Sequence, residues 1–333
     1  MTGHIGRRQF ITLIGGAAAW PLAAGAQEPG GMRRIGVLAG GYAQNNSEGQ
    51  TRVAAFLNAL QGLGWSDRRN VRLEIRWPAD DVERAKRYAA ELVSLAPDVI
   101  VVATNPALSE LGGLTRAIPI VFAQVSDPIG SGFVDGLARP GGNITGFQNY
   151  EPEIGGKWLG LLKEAVPGMS RVAVPHDPDS TASVAFVRAA AAVAPSLGVQ
   201  VTAAGVHGRA EFQRAIATFA AKANGGLILV PQNVLPGNRD LIVELAARHR
   251  LPAIYPFRFF ATAGGLMSYG IDQTEQWQGA ARYVDRILRG EKPRELPVQA
   301  PTKFELVINL KTARALGLTI PPALPLRADE VIE

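Results

Sequence analysis

Small polar residues gather in short rows along the chain: Thr104-Asn105-Pro106, Ser126-Asp127-Pro128, His176-Asp177-Pro178-Asp179-Ser180 and Gln232-Asn233. Hydroxyls, amides and carboxylates grouped this way suit hydrogen bonding to a small polar molecule. They do not compose a reaction by themselves. The four histidines are His4, His176, His207 and His249, and no pair among them has metal-ligand spacing. There is no cysteine, so disulfides, thiol nucleophiles and a cysteine-linked lipid are excluded. Neither a Gly-x-Ser-x-Gly elbow nor a Gly-x-x-x-x-Gly-Lys-Ser/Thr phosphate loop occurs. The stretch GSGFVDG (130–136) approaches a dinucleotide fingerprint, but its third glycine falls one residue late, after a turn at Asp127-Pro128. His176 beside Asp177 has the chemistry of an acid–base pair, with no serine nucleophile placed next to it. The pattern reads as binding, not catalysis, and implies neither metal nor cofactor.

Something must hold these residues in place, and the flanking segments show what. Short β-branched runs alternate with longer helical patterns. Strands are expected at 34–40, 71–77, 98–104, 119–125 and 143–147, with helices over 51–65 and from Val82 to a stop at Pro97. A second series follows: the strands RVAVPHD, VQVTAAGV, GLILVPQ, PAIYP and LMSYGID, interleaved with helices, then a tail from Lys303. Near-continuous apolar strands imply parallel sheets covered by helices on both faces. A (β/α)₈ barrel would suit the length, but the Pro140-Gly141-Gly142 break favours two doubly wound halves. In such sheets ligands bind beyond the carboxyl ends of the strands. The polar rows stand at those ends, joined by Gly40-Gly41-Tyr42, Arg258 and Tyr269-Gly270-Ile271-Asp272. Singly, Asp127 and Asp179 read as helix caps and Tyr42 and Tyr269 as packing residues. It is the recurrence in both halves that points to a cleft.

The N-terminus carries Arg7-Arg8, a mild apolar run Ile11–Leu22 and small residues Ala24-Gly25-Ala26. This predicts a signal peptide over 1–26, cleaved after Ala26, with Arg-Arg-x-Phe-Ile resembling a twin-arginine signal. The run is too short and diluted to span a bilayer. The 34 basic and 29 acidic residues leave a mild positive excess, of which Arg7 and Arg8 are part. No basic block interleaved with aromatics points to nucleic acid. A free, soluble periplasmic protein is expected.

The stretches 118–147, 157–174, 244–272 and 301–333 closely resemble the ABC transporter substrate-binding protein family related to the tryptophan-uptake component TrpX. The resemblance implies a type I periplasmic-binding-protein fold: two Rossmann-like lobes, hinge crossover strands and a ligand cleft between them. It places crossings near Gly146–Tyr150 and Leu266–Gly270. Lobe 1 would comprise 32–148 plus 266–300, and lobe 2 would comprise 150–265 plus 301–333. It implies a monomer that captures a small polar metabolite, an amino acid or a related compound such as an aromatic one, and delivers it to a permease with its ATPase.

Carried onto this sequence, the ligand-binding candidates are Thr104, Asn105, Ser126 and Asp127 from lobe 1 and Asp177, Asp179, Gln232 and Asn233 from lobe 2. Tyr42 and Tyr269 would form apolar walls. Ser126 and Thr104 would take a carboxylate, and Asp127 or Asp177 an ammonium. The family pattern is broken at Pro175-His176-Asp177-Pro178 and at Val230-Pro231-Gln232-Asn233, both at the expected cleft, which leaves the ligand open. Two alternatives stand beside transport: a ligand-sensing subunit that docks to a receptor, and a periplasmic enzyme using His176 and Asp177.

Overall fold

The computed structural model describes residues 31–232 and 234–333; the expected signal peptide and Asn233 lie outside the described residues. The first sheet is built from β1 (Arg33–Gly40), β2 (Val71–Ala79), β3 (Val99–Ala103), β4 (Ile120–Val125) and β5 (Ile144–Gln148), all parallel, in the order β2-β1-β3-β4-β5. Helices α1 (Ser47–Gly62), α2 (Val82–Ser94) and α3 (Asn105–Leu114) connect them. Local chemistry sets their starts. The Asn46 side chain accepts the Gly49 N–H at 2.9 Å, and Asp81 accepts that of Arg84 at 2.8 Å. Val53, Phe56 and Leu60, spaced by three and four, form the buried stripe of α1.

The second half begins with α4 (Ile154–Ala165), β6 (Arg171–His176), α5 (Thr181–Val193), β7 (Gln200–Gly205), α6 (Arg209–Ala220) and β8 (Gly225–Ile228). It continues with α7 (Val234–Gly237), α8 (Arg239–Arg248), β9 (Ala253–Tyr255), α9 (Arg258–Thr262) and β10 (Met267–Gly270). The remaining elements are α10 (Gln273–Leu288), β11 (Glu305–Asn309), α11 (Leu310–Ala315) and β12 (Glu330–Ile332). The sheet order is β12-β11-β10-β9-β8-β6-β7. Its β7-β6-β8-β9-β10 portion repeats the winding of the first sheet strand for strand, and the tail adds β11 and β12 at the far edge. Only β11 runs antiparallel to its neighbour β10.

This topology corrects one expected boundary. Residues 266–270 do not join the first half: β10 pairs with β9 (Met267↔Ile254) and with β11 (Met267↔Ile308), as the fifth strand of the second sheet. The chain returns only after Asp272, through α10. That helix packs on α1, with Trp277 edge-on to Phe56 at 6.2 Å and Asp285 accepting the Trp65 indole N–H at 2.8 Å.

Hydrogen bonds fix the chain where it crosses between the halves. The buried Tyr150 hydroxyl donates to the Pro256 carbonyl and accepts the Ile271 N–H at 3.4 Å. Gln276 reaches the Gln148 carbonyl at 2.6 Å. Only glycine fits at 270, where a Cβ would lie 2.0 Å from the Pro256 carbonyl oxygen.

Candidate functional site

The carboxyl ends of both sheets meet across a cleft lined from both halves. From the first half come Tyr42 after β1, Thr104 and Asn105 after β3, Gln124 and Ser126 at the end of β4, and Asn149 after β5. From the second come Asp177, Ser180 and Ser183 around the start of α5, Gln232 after β8 and Phe257 after β9. Gln273, the first residue of α10, completes the lining near the crossings. Where the cleft narrows, Ser131 Oγ and Thr181 Oγ1 approach to 3.2 Å from opposite halves.

Three helix N-termini therefore border one space, those of α3, α5 and α10, each of ten residues or more. Helix α3 has no side-chain cap, and Pro106 stands in its first turn. N-termini present backbone N–H groups and the positive end of the helix dipole, which favours a bound anion. Against them stands one formal charge among the described lining residues, the carboxylate of Asp177. It accepts the Asp179 N–H at 3.0 Å, which fixes the turn that carries it.

The backbone is strained where it lines the cleft. Thr104 holds φ 75° and Gln124 φ 59°. A β-branched residue at positive φ is uncommon, and such strain gathers where a site demands a geometry. At Gln124 the β4–β5 register slips between Ala123 and Val125. That bulge re-aims the Gln124 side chain. Burial raises the Tyr42 hydroxyl above its ordinary value of 10.0, against the opposing pull of Arg52 and of the neighbouring Gln124 amide, so the phenol stays neutral.

Of the residues expected from sequence, Tyr42, Thr104, Asn105, Ser126, Asp177 and Gln232 line the cleft. Besides Asp177, two of them are already engaged. The Asn105 amide bridges the Ser126 backbone, accepting its N–H at 3.0 Å and donating to its carbonyl at 2.7 Å. Gln232 donates to the Pro175 carbonyl at 3.0 Å.

Asp127, Asp179 and Tyr269 are not brought to the cleft. Asp127 turns back to accept the Gly130 N–H at 3.0 Å, capping the turn in GSGFVDG, which leads into no helix. Asp179 is a surface group, its side chain 84% exposed, paired with His207 at 3.2 Å. Tyr269 belongs to β10 and stacks on Phe304 at 5.5 Å, away from the lining. His176 and Asp177 form no pair either: His176 is buried with Nδ1 at 3.2 Å from the Val174 carbonyl.

Gln124, Asn149, Phe257 and Gln273 were not legible. Phe257 stands one residue before Arg258, which instead pairs with Glu330. Gln124 reads as strand interior in PIVFAQV, because nothing in the residue pattern marks the bulge.

Folding also gathers Asp177, Asp179 and His207, with ligand-type atoms within 4.8 Å of one another. Both His207 nitrogens already face carboxylates, Asp179 at 3.2 Å and Glu211 at 3.2 Å. Glu211 above all, with Asp179 assisting, holds the imidazole above its ordinary 6.5. The favoured form is the protonated one. Its contribution is present below the ordinary value and is lost as pH rises through the folded-state value. NMR titration is expected to show His207 above 6.5 and Glu211→Gln to bring it down; an unchanged midpoint in the variant would remove Glu211 as the cause.

Among the described residues, no helix is long and apolar enough to cross a membrane. The family model for ABC transporter substrate binding proteins matches residues 47–332. The chain is 25% identical over 264 residues to the tyrosine-binding protein of Clostridioides difficile strain R20291, covering 79% of this chain and 75% of that one. A conserved domain protein of Vibrio cholerae superposes with a TM-score of 0.83 at 26% identity, over 90% of this chain and 99% of that one. The ABC domain of a Streptococcus pneumoniae protein in complex with L-Trp superposes with a TM-score of 0.82 at 24% identity, over the same shares. With two wound halves facing each other across a polar cleft and a family match over most of its length, the chain belongs to the ABC transporter substrate-binding proteins, which bind small molecules and work with ABC transporter components.

Proposed function

We propose that the protein captures an amino acid or a close relative between its halves and hands it to a membrane permease driven by an ATPase. The observation that carries this reading is a single carboxylate, Asp177 just before α5, in a cleft bordered by three helix N-termini and walled by Tyr42 and Phe257. A zwitterion matches it: the ligand carboxylate on the N–H groups of α3 and α5, beside Thr104 and Ser126, and the ammonium on Asp177. The aromatic walls suit an apolar body on the ligand. The names of the relatives support the class, since one is called tyrosine-binding and another holds L-Trp. Binding and release require no covalent step. On this reading the leader expected over 1–26 directs the protein to the periplasm, where it works as a soluble monomer.

Calorimetry against the L-amino acids tests the proposal. At least one should bind in a single saturable step and be recovered unchanged. Asp177→Asn should weaken it about 10- to 100-fold, the worth of a charge-assisted hydrogen bond. Unchanged affinity in that variant would remove the ammonium assignment, and chemical conversion of the ligand would overturn the carrier reading.

A further inference from the structure

The wall of the cleft beside the chain crossings differs from the rest. Gln124 and Asn149 stand at the ends of the neighbouring strands β4 and β5, 5% and 3% exposed. Both amide atoms of Gln124 and Oδ1 of Asn149 are shut off from solvent without a hydrogen bond of normal geometry, although Gln124 sits against the Tyr42 hydroxyl. A buried amide atom in that state has given up its bonds to water and gained nothing in exchange. Leucine or methionine would fill the same volume without that loss. The chain also holds Gln124 at φ 59°, on a bulge that turns its side chain to the cleft. Thr104 Oγ1 is unpaired too, but it lies against Gly40 of β1, where a Cβ would come within 2.6 Å of it, and not on the wall made by the two amides.

Granting that the cleft takes an amino acid, we infer that Gln124 and Asn149 read the tip of the ligand's side chain and select a group that both donates and accepts a hydrogen bond. The charged ends of the ligand have Asp177 and the helix N-termini. The neutral amides come from the ends of β4 and β5, where the chain crosses between the halves, and Gln124 has Tyr42 beside it. Whichever way the Gln124 amide is turned, it offers both a donor NH₂ and an acceptor oxygen. A phenol or a carboxamide satisfies both, an indole N–H satisfies only the acceptors, and a hydrocarbon satisfies neither. A site built around such buried groups rejects the analogue that lacks the partner, because its own atoms then stay unpaired.

The test is calorimetry with ligand pairs that differ only at the tip: L-tyrosine with L-phenylalanine, L-glutamine with L-methionine, and L-asparagine with L-leucine. In at least one pair the polar member should bind about 100-fold or more tightly than its apolar twin. Gln124→Met should reduce that ratio to about 10 or less by weakening the polar member alone, and Asn149→Leu should act in the same direction. A loss of fold would weaken both members equally, so the ratio isolates recognition. Apolar twins that bind as well as polar ones, or variants that weaken both alike, overturn this inference and leave the amino-acid reading standing. If no amino acid binds at all, the amino-acid reading falls and the inference falls with it.

Discussion

Trp158→Ala is expected to lower stability by about 3–5 kcal/mol, the usual range for emptying the space of a large buried aromatic. Trp158 lies on α4, fully buried, between Tyr150 at 5.4 Å and Phe186 at 5.6 Å. Its indole N–H donates to the Tyr269 carbonyl at 2.8 Å. One side chain thus joins the helix after the first crossing to α5 and to the last parallel strand of the second sheet. Alanine removes those ring contacts and leaves the carbonyl unpaired. The melting temperature should fall by about 6–20 °C, at roughly 2–4 °C per kcal/mol. Trp158→Phe keeps most of the packing and should cost about 1–2 kcal/mol for the lost donor. Equal losses in the two variants would show that the hydrogen bond, not the volume, dominates; a melt within a degree of the parent for alanine would refute the packing argument.

The difference between what sequence reveals and what it conceals is physical. The strands of the first sheet are apolar and β-branched because helices cover both faces, so 34–40 and 98–104 announce themselves. The strand-end rule finds Thr104, Ser126 and Asp177 because parallel winding puts every carboxyl end on one side. It fails where side-chain direction decides. Asp127 has the composition of a ligand group, yet its carboxylate is taken by the Gly130 N–H three residues on. Tyr269 occupies a strand end, but the tail adds β11 alongside and Phe304 stacks on its ring. Gln124 is hidden because a one-residue bulge changes which way a side chain points without changing composition. The boundary at 266–270 was misplaced for a related reason. A short apolar strand looks alike in either sheet, and only pairing with Ile254 and Ile308 decides its membership.

Arg52→Met is expected to loosen the contact between the two halves. Arg52 lies on α1, 5% exposed, yet its guanidinium stands over Tyr42 at 5.2 Å and over Phe259 of the second half at 5.5 Å. It donates to the Glu48 carboxylate at 3.0 Å and to the Gln273 side chain, while Nε has no partner. Tyr42 and Gln273 both line the cleft, so this one cation supports two lining residues and meets the opposite half. Stacking a desolvated guanidinium on aromatic rings contributes about 2 kcal/mol, and its removal also strands the buried Gln273 oxygen. Glu48 is partly exposed, and water will replace part of what that carboxylate loses. A net loss of about 2–3 kcal/mol follows, shared between stability and closure. The melting temperature should fall by about 4–12 °C, and ligand-free small-angle scattering should show a larger radius of gyration. Arg52→Lys should recover only part of both effects, since an ammonium pairs with Glu48 but lacks the flat fork that stacks and reaches Gln273. If the methionine variant scatters like the parent while melting lower, Arg52 stabilises the first half alone and does not bridge to Phe259.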